Sequence, residues 1–130
     1  MTDTKVLVLD DDSSVSEMIG TGLETFGYKV ALAGNEKEFW ASVTREKPDI
    51  ILMDVGMPGI DGISLCRHVR LSESAKDIPI IIVTAFNDEK TFHDAMLFGA
   101  NDFIAKPFDI GEIKRKIDDI ITKTSLRKSS

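Results

Sequence analysis

The fold of this chain is decided by residues 48–62, which read PDIILMDVGMPGIDG. Four successive apolar residues, Ile50 to Met53, are bounded by turn-forming residues. Such a run is typical of a β-strand that is buried on both faces, as in a parallel sheet. The run ends on the carboxylate of Asp54, and a loop rich in glycine and proline follows at once. Because open parallel sheets bind ligands at the carboxyl ends of their strands, Asp54 is either a functional acid or simply a residue that ends a strand or caps a helix.

The composition is that of one ordinary globular domain. The chain has 130 residues, of which 42% are hydrophobic and 29% charged, enough for a single core. No apolar run reaches the length of a membrane span and no secretory signal is recognisable, so we expect a cytoplasmic protein without membrane contact. A single cysteine, Cys66, excludes an internal disulfide and a multi-cysteine metal site. The net charge of -6 argues against nucleic-acid binding by this domain and favours carboxylates that bind a cation.

Hydrophobic patterning predicts strands that alternate with helices. The predicted strands cover residues 6–9, 28–32, 50–53, 79–83 and 102–105, and a segment of helical periodicity follows each of them. This alternation predicts an α/β fold with a doubly wound, five-stranded parallel sheet and right-handed crossovers. We expect residues 1–123 to form one domain and residues 124–130 to be a polar tail or the start of a linker.

Capping residues and apolar spacing locate the helices. Ser13 or Ser14 is predicted to cap the first helix, and the third helix is predicted to start at Asp61. The predicted buried faces include Met18 in the first helix and Met96 in the fourth, since both lie among apolar residues at helical spacing.

Polar residues follow four of the apolar runs directly. They are Asp10 and Asp11 after the first strand, Asp54 after the third, Thr84 after the fourth and Lys106 after the fifth. Each one alone is explained by helix capping, strand propensity or solvation, but the set at one sheet edge indicates a site. Carboxylate oxygens suit Mg²⁺ or Mn²⁺, and a metal beside a carboxylate neutralises an incoming phosphoryl group. An aspartate can accept that group, while a hydroxyl and an ammonium bind its oxygens.

The sequence resembles the receiver domain of two-component response regulators over essentially its whole length, from Lys5 to about Thr122. The resemblance rests on VLVLDDD at residues 6–12, DVGMP at 54–58, Asp61-Gly62, Thr84-Ala85 and Lys106-Pro107-Phe108. It implies a flavodoxin-like fold with strand order 2-1-3-4-5.

The resemblance also implies a metal site. Asp54 is then the phosphoacceptor, Asp11 binds Mg²⁺ directly, and Asp10 binds it directly or through water. The backbone carbonyl of Gly56, two residues past the acceptor, completes the protein ligands.

A conformational switch is implied by the same resemblance. Thr84 and Lys106 bind the phosphoryl oxygens, and the Lys106–Pro107 bond is expected to be cis. Thr84 then moves toward the phosphoryl group while Phe103 turns inward, which changes the face formed by the fourth helix, fifth strand and fifth helix. Phe103 stands where many members have tyrosine, so its inward state gains packing without a terminal hydrogen bond.

The resemblance implies that side chains near the acceptor set the lifetime of the phosphorylated state. Neither Gly56 nor Phe86 can hold an attacking water by a side-chain hydrogen bond. We therefore predict a phosphoryl group that decays slowly to moderately.

The resemblance implies partners rather than a turnover substrate. The donor is a sensor histidine kinase or a histidine phosphotransfer protein, and the signal passes to a downstream effector domain or protein. A homodimer through the fourth helix, fifth strand and fifth helix fits this interpretation. Such a domain is not an enzyme in the usual sense, because it catalyses only its own phosphoryl transfer and autodephosphorylation.

Two alternatives share parts of this pattern. A haloacid-dehalogenase-like, Mg²⁺-dependent phosphatase places Asp-x-Asp-x-Thr or Val after the first strand; Asp10 and Asp12 fit, but Ser14 stands at the fifth position and no cap domain is visible. A flavin-binding electron carrier needs a phosphate cradle there, and three acids would repel the phosphate.

Overall fold

The computed structural model describes the backbone of residues 3–55, 61–84 and 89–129, and the side chains of residues 3–55, 61–84 and 93–124. In this part of the chain, strands and helices alternate. The strands are β1 (Lys5–Leu9), β2 (Lys29–Ala33), β3 (Ile50–Asp54), β4 (Ile80–Thr84) and β5 (Asp102–Ala105). The helices are α1 (Ser13–Thr25), α2 (Glu36–Glu46), α3 (Gly62–Leu71), α4 (Glu89–Leu97) and α5 (Ile110–Ser129).

All strands pair in parallel, in the order β2-β1-β3-β4-β5. The predicted fold class and strand order are therefore confirmed. Strand β3 is central and buried at every position, as its unbroken apolar run predicts. Edge strand β2 is largely half-buried or exposed, in keeping with its weaker apolar pattern.

The sheet separates two apolar layers. Ile51 and Met53 of β3 face the layer that also contains Phe39 of α2 and Leu65 of α3. Ile50 and Leu52 face the opposite layer, which is formed with Ile19 and Leu23 of α1 and with Ile113 and Ile117 of α5. Because successive strand residues point to opposite faces, one continuous apolar run is buried in both layers.

Helix α1 begins one or two residues earlier than predicted. Its N-cap is Asp12, whose carboxylate accepts hydrogen bonds from the backbone N–H groups of Ser14 and Val15 at 3.0 and 3.3 Å. The prediction of Ser13 or Ser14 was wrong because the carboxylate takes the donors of the first turn and leaves both serines inside the helix. Asp61, predicted to start the third helix, is the N-cap of α3.

The buried faces of two helices are narrower than predicted. Met18 is 56% exposed and Met96 is 38% exposed. In α1 the buried residues include Ile19 and Leu23, and Met18 lies about 100° around the helix from Ile19. The sheet covers only one side of each helix, so an apolar residue at the margin of the stripe stays in solvent.

Helix α5 continues through residues 124–129, so this predicted tail or linker has a helical backbone. Among the described residues, no helix combines the length and apolar character needed to cross a membrane.

Candidate functional site

The candidate site lies at the carboxyl edge of the sheet, where the register of the strands brings the polar residues together. Leu9 pairs with Met53, so Asp10 and Asp54 are the next residues on neighbouring strands. Thr84 pairs with Ala105, so Lys106 follows immediately on β5. Four segments that are far apart in sequence therefore end side by side, as the pattern predicted.

The three acids form one cluster. Asp10, Asp11 and Asp54 each place a carboxylate oxygen within 4.8 Å of the others. Asp10 and Asp54 are buried, whereas Asp11 is exposed. Carboxylates that are close together and partly removed from water repel each other unless a cation lies between them.

Lys106 supplies positive charge to this cluster. Its Nζ donates a hydrogen bond to Asp54 Oδ2 at 3.3 Å and lies 3.6 Å from Asp10 Oδ2. Within the described part of this edge, one ammonium faces three carboxylates, so the cluster keeps an excess of negative charge. A divalent cation with a preference for oxygen ligands, such as Mg²⁺, fits this set of donors in charge and chemistry.

The electrostatics of Asp10 reflect the same excess. Burial raises the pKa of its carboxyl group, and the neighbouring carboxylate of Asp54 raises that pKa further. The backbone N–H of Asp12, which donates to Asp10 Oδ1 at 2.9 Å, and the ammonium of Lys106 act in the opposite direction. Holding Asp10 ionised at this position is therefore costly without an added cation.

Two contacts fix the backbone of Asp10. Its N–H donates to the carbonyl of Ala33 at 3.1 Å, and its carbonyl accepts from the hydroxyl of Ser16 at 3.3 Å. Ser16 is buried in α1 and was not among the predicted site residues. The only sequence feature that could have identified Ser16 is its position as a polar residue on the face of α1 that also carries Ile19 and Leu23.

The proposed phosphoryl-binding and switch residues lie on β4 and β5. Thr84 is fully buried, and its carbonyl accepts from the backbone N–H of Lys106 at 2.8 Å. The Lys106–Pro107 peptide bond is cis. Phe103 is half-buried and packs against the layer that contains Phe39. These positions are compatible with the predicted roles but do not test them.

Two predicted positions lie outside the described residues. These are Gly56, the proposed carbonyl ligand, and Phe86, which entered the prediction of phosphoryl lifetime. Both predictions stand as they were made.

Residues 6–118 match the family model of the response regulator receiver domain. Among curated proteins, the phosphate regulon transcriptional regulatory protein PhoB of Pseudomonas aeruginosa is 36% identical over 124 residues, which cover 95% of this chain and 54% of PhoB. The transcriptional regulatory protein KdpE of Staphylococcus aureus is 34% identical over 114 residues, which cover 88% of this chain and 48% of KdpE. This chain thus spans about half the length of these relatives.

Solved structures show the same likeness. The receiver domain of the Francisella response regulator 1452 superposes with a TM-score of 0.85 at 30% identity, covering 94% of this chain and 99% of that one. The chemotaxis response regulator CheY4 of Vibrio cholerae gives a TM-score of 0.84 at 28% identity, covering 92% of this chain and 99% of that one.

Proposed function

The chain belongs to the family of response regulator receiver domains, and from this premise we propose that its Asp54 accepts a phosphoryl group in a two-component signalling pathway. These comparisons lend no support to the haloacid-dehalogenase-like phosphatase. The observation that carries the proposal is the position of Asp54. Its buried carboxylate ends the central strand, within 4.8 Å of two other acids and 3.3 Å from the ammonium of Lys106.

The acid cluster is the proposed metal site. Asp10, Asp11 and Asp54, together with the backbone carbonyl of Gly56, would hold Mg²⁺ or Mn²⁺. When bound, the ion supplies positive charge that neutralises the incoming phosphoryl group beside a carboxylate nucleophile. The excess of acid over base among the described residues supports this assignment.

Lys106 and Thr84 are the proposed phosphoryl-binding residues. The ammonium of Lys106 already lies within hydrogen-bond distance of Asp54, so it can pair with a phosphoryl oxygen attached there. Thr84 ends the neighbouring strand and would donate its hydroxyl to another oxygen. Movement of Thr84, followed by Phe103, would then change the face formed by α4, β5 and α5, as a local charge change with a remote consequence.

The proposed partners follow from this switch. A sensor histidine kinase or histidine phosphotransfer protein donates the phosphoryl group. An effector domain or protein receives the signal from the α4-β5-α5 face. Homodimers would form through the same face. Because PhoB and KdpE are named as transcriptional regulatory proteins, we propose an effector that controls transcription, with no nucleic-acid contact by this domain. We propose that residues 1–123 are the receiver domain and that residues 124–130 are a polar tail or the start of a linker, in a protein that acts in the cytoplasm.

Labelling with a small phosphodonor tests the central assignment. The 130-residue chain, incubated with acetyl phosphate and Mg²⁺, is expected to gain one phosphoryl group, measured by intact mass. Asp54→Ala and removal of Mg²⁺ by chelation should each abolish the gain. Asp77→Ala is the matched control, because Asp77 is an exposed acid in the connection between α3 and β4. Labelling that persists in Asp54→Ala would refute the proposal.

A further inference from the structure

Helix α3 begins in unusually close contact with the residue that follows the proposed phosphoacceptor. Gly62 is the first residue of α3 and is buried. A Cβ atom built on Gly62 would lie 2.6 Å from Cγ1, 2.8 Å from Cα and 2.9 Å from Cβ of Val55. Carbon atoms in contact prefer separations of about 3.5–4.0 Å. Because one of the three atoms belongs to the backbone, rotation of the Val55 side chain cannot relieve the overlap.

The backbone conformation of Gly62 does not require glycine. Among the described residues, the glycines with positive φ are Gly27 and Gly99. Alanine is the better helix former, by up to about 1 kcal/mol within a helix. The absence of a side chain at position 62 is therefore explained by the approach to Val55 and by nothing in the conformation of α3.

The start of α3 is held firmly. The carboxylate of Asp61 accepts hydrogen bonds from the backbone N–H groups of Ile63 and Ser64 at 3.1 and 3.3 Å and from the Ser64 hydroxyl at 2.8 Å. The hydroxyl of Ser64 lowers the pKa of Asp61, so the carboxylate stays ionised at neutral pH. Leu65 packs α3 into the core. A side chain added at the start of α3 would therefore displace Val55, which lies just beyond the end of β3, more readily than α3.

We propose that Gly62 is a positioning residue for phosphoryl transfer. By allowing α3 to start directly against Val55, it keeps Asp54, the preceding residue, where its carboxylate meets Lys106 and Asp10. This inference rests on the proposed function of Asp54. A displacement of about 1 Å at a reacting group can lower a rate by roughly a hundredfold, so a shift of Val55 by one added methyl group is large enough to matter.

The test compares two glycine-to-alanine substitutions. Gly62→Ala is expected to lower the rate of labelling at saturating acetyl phosphate and Mg²⁺ by about tenfold to a hundredfold. Gly20→Ala is the matched control, because a Cβ there meets Leu32 and Val30 at 3.5 Å, an ordinary contact, and its rate should equal that of the unsubstituted chain. In metal-free protein, the amide resonances of Asp54 and Lys106 should shift in Gly62→Ala and keep their positions in Gly20→Ala.

A second substitution separates positioning from general damage. Val55→Ala removes the Cγ1 atom that lies 2.6 Å from the added Cβ, so Gly62→Ala combined with Val55→Ala should label faster than Gly62→Ala alone. If Gly62→Ala does not fold, the double variant is compared with Val55→Ala, and slower labelling of the double variant is expected because the backbone contact at 2.8 Å remains.

The outcomes distinguish the two proposals. An unsubstituted chain that is not labelled, or is labelled at another residue, overturns the function of Asp54. If the unsubstituted chain is labelled normally, three results each overturn the positioning role alone. They are a loss of labelling rate of less than about tenfold in Gly62→Ala, unmoved amide resonances of Asp54 and Lys106 in that variant, and no faster labelling when Val55→Ala is added to it.

Discussion

Lys106 at the carboxyl edge of the sheet and Arg70 at the end of α3 are both cations surrounded by oxygen atoms, but their surroundings differ in charge. Lys106 lies 3.3 Å from a carboxylate oxygen of Asp54 and 3.6 Å from one of Asp10, in a cluster where acids exceed bases. These distances are long for charge-assisted hydrogen bonds, which are typically about 2.7–2.9 Å. The arrangement leaves negative charge that a bound cation could compensate.

Arg70 instead meets neutral acceptors at short distances. Its guanidinium donates twice to the carbonyl of Gly99, at 3.0 and 2.7 Å, and once each to the carbonyls of Lys76 and Ile78, at 3.1 and 2.7 Å. A further hydrogen bond, at 2.8 Å, reaches the Asn101 side chain. Burial lowers the pKa of Arg70, but its donors are satisfied. The group ties α3 to the segments before β4 and β5.

This contrast distinguishes Arg70, which has a structural role, from Lys106, which we propose to bind the phosphoryl group. The N–H donors of Arg70 are all satisfied by the fixed dipoles of carbonyl groups, so the guanidinium needs no further ligand. Among the described residues around Lys106, carboxylates outnumber ammonium groups, and such an imbalance is typical of functional sites. Both cations are partly buried, so exposure alone would not tell them apart.

The largest expected effect is on stability at the structural cation. Arg70→Met keeps the aliphatic stem but removes every donor and takes the partner from the partly buried carbonyls of Gly99 and Ile78, so it should lower the free energy of unfolding by about 3 kcal/mol. Arg67→Met is the control, since Arg67 is exposed on the same helix. Urea denaturation of both variants measures the difference. A loss below about 1 kcal/mol in Arg70→Met would remove the basis of the comparison.

A smaller effect of opposite sign is expected at the acid cluster. In metal-free protein, Asp10→Asn removes one buried charge, keeps an acceptor for the Asp12 N–H, and should raise the free energy of unfolding by about 2 kcal/mol. Denaturation in the presence of a chelator measures it, with the exposed Asp77→Asn as the control. Addition of Mg²⁺ should stabilise the unsubstituted chain more than Asp10→Asn. If Asp10→Asn is less stable than the unsubstituted chain without metal, the negative charge of the acid cluster is already compensated within the protein.

The smallest expected effect tests whether the charge of Arg70 influences the pKa of the neighbouring Cys66 thiol. Cys66 lies one turn before Arg70, and burial raises the pKa of its thiol to about 11 from 9.0, while Arg70 acts against this rise. A thiol with a higher pKa in the folded state keeps its full contribution to stability below pH 9.0, and that contribution is lost as the pH rises toward 11.

The loss in the free energy of unfolding from this thiol should reach about 1 kcal/mol by pH 10. Denaturation at pH 8 and pH 10 measures it, with Cys66→Ala as the reference that lacks the titrating group. The loss should be at least as large in Arg70→Met, since a nearby positive charge is gone. An equal pH dependence in the unsubstituted chain and in Cys66→Ala would show that the thiol titrates normally.

The residues of the site were accessible from the sequence because each one follows an apolar run. Asp54 and Thr84 end strands that are buried throughout, and Lys106 follows the last strand. Parallel pairing then forces their carboxyl ends to one edge, so chain order was enough to predict the cluster. The role of the Gly56 carbonyl as a metal ligand is implied by the resemblance and stays a prediction.

Other features depend on contacts that no local pattern records. Met18 was predicted to be buried because it is apolar, but coverage by the sheet decides exposure, and this residue lies beyond it. No sequence pattern shows that the hydroxyl of Ser16 donates a hydrogen bond to the carbonyl of Asp10. The role of Arg70 requires acceptors from two later connections, up to 31 residues away.

The sequence by itself determined the succession of strands and helices, the two-layered core and the identity of the acids, hydroxyl and amine at one edge. The spacing of apolar residues and the order of the segments can both be read along the chain. Parallel pairing of the strands then places the residues that follow them at the same edge of the sheet. Only the tertiary structure decided the distances among Asp10, Asp54 and Lys106, the satisfied donors of Arg70 and the contact between Gly62 and Val55. These depend on how separate segments approach one another to within a few ångströms, and close packing, rather than any residue pattern, sets that approach.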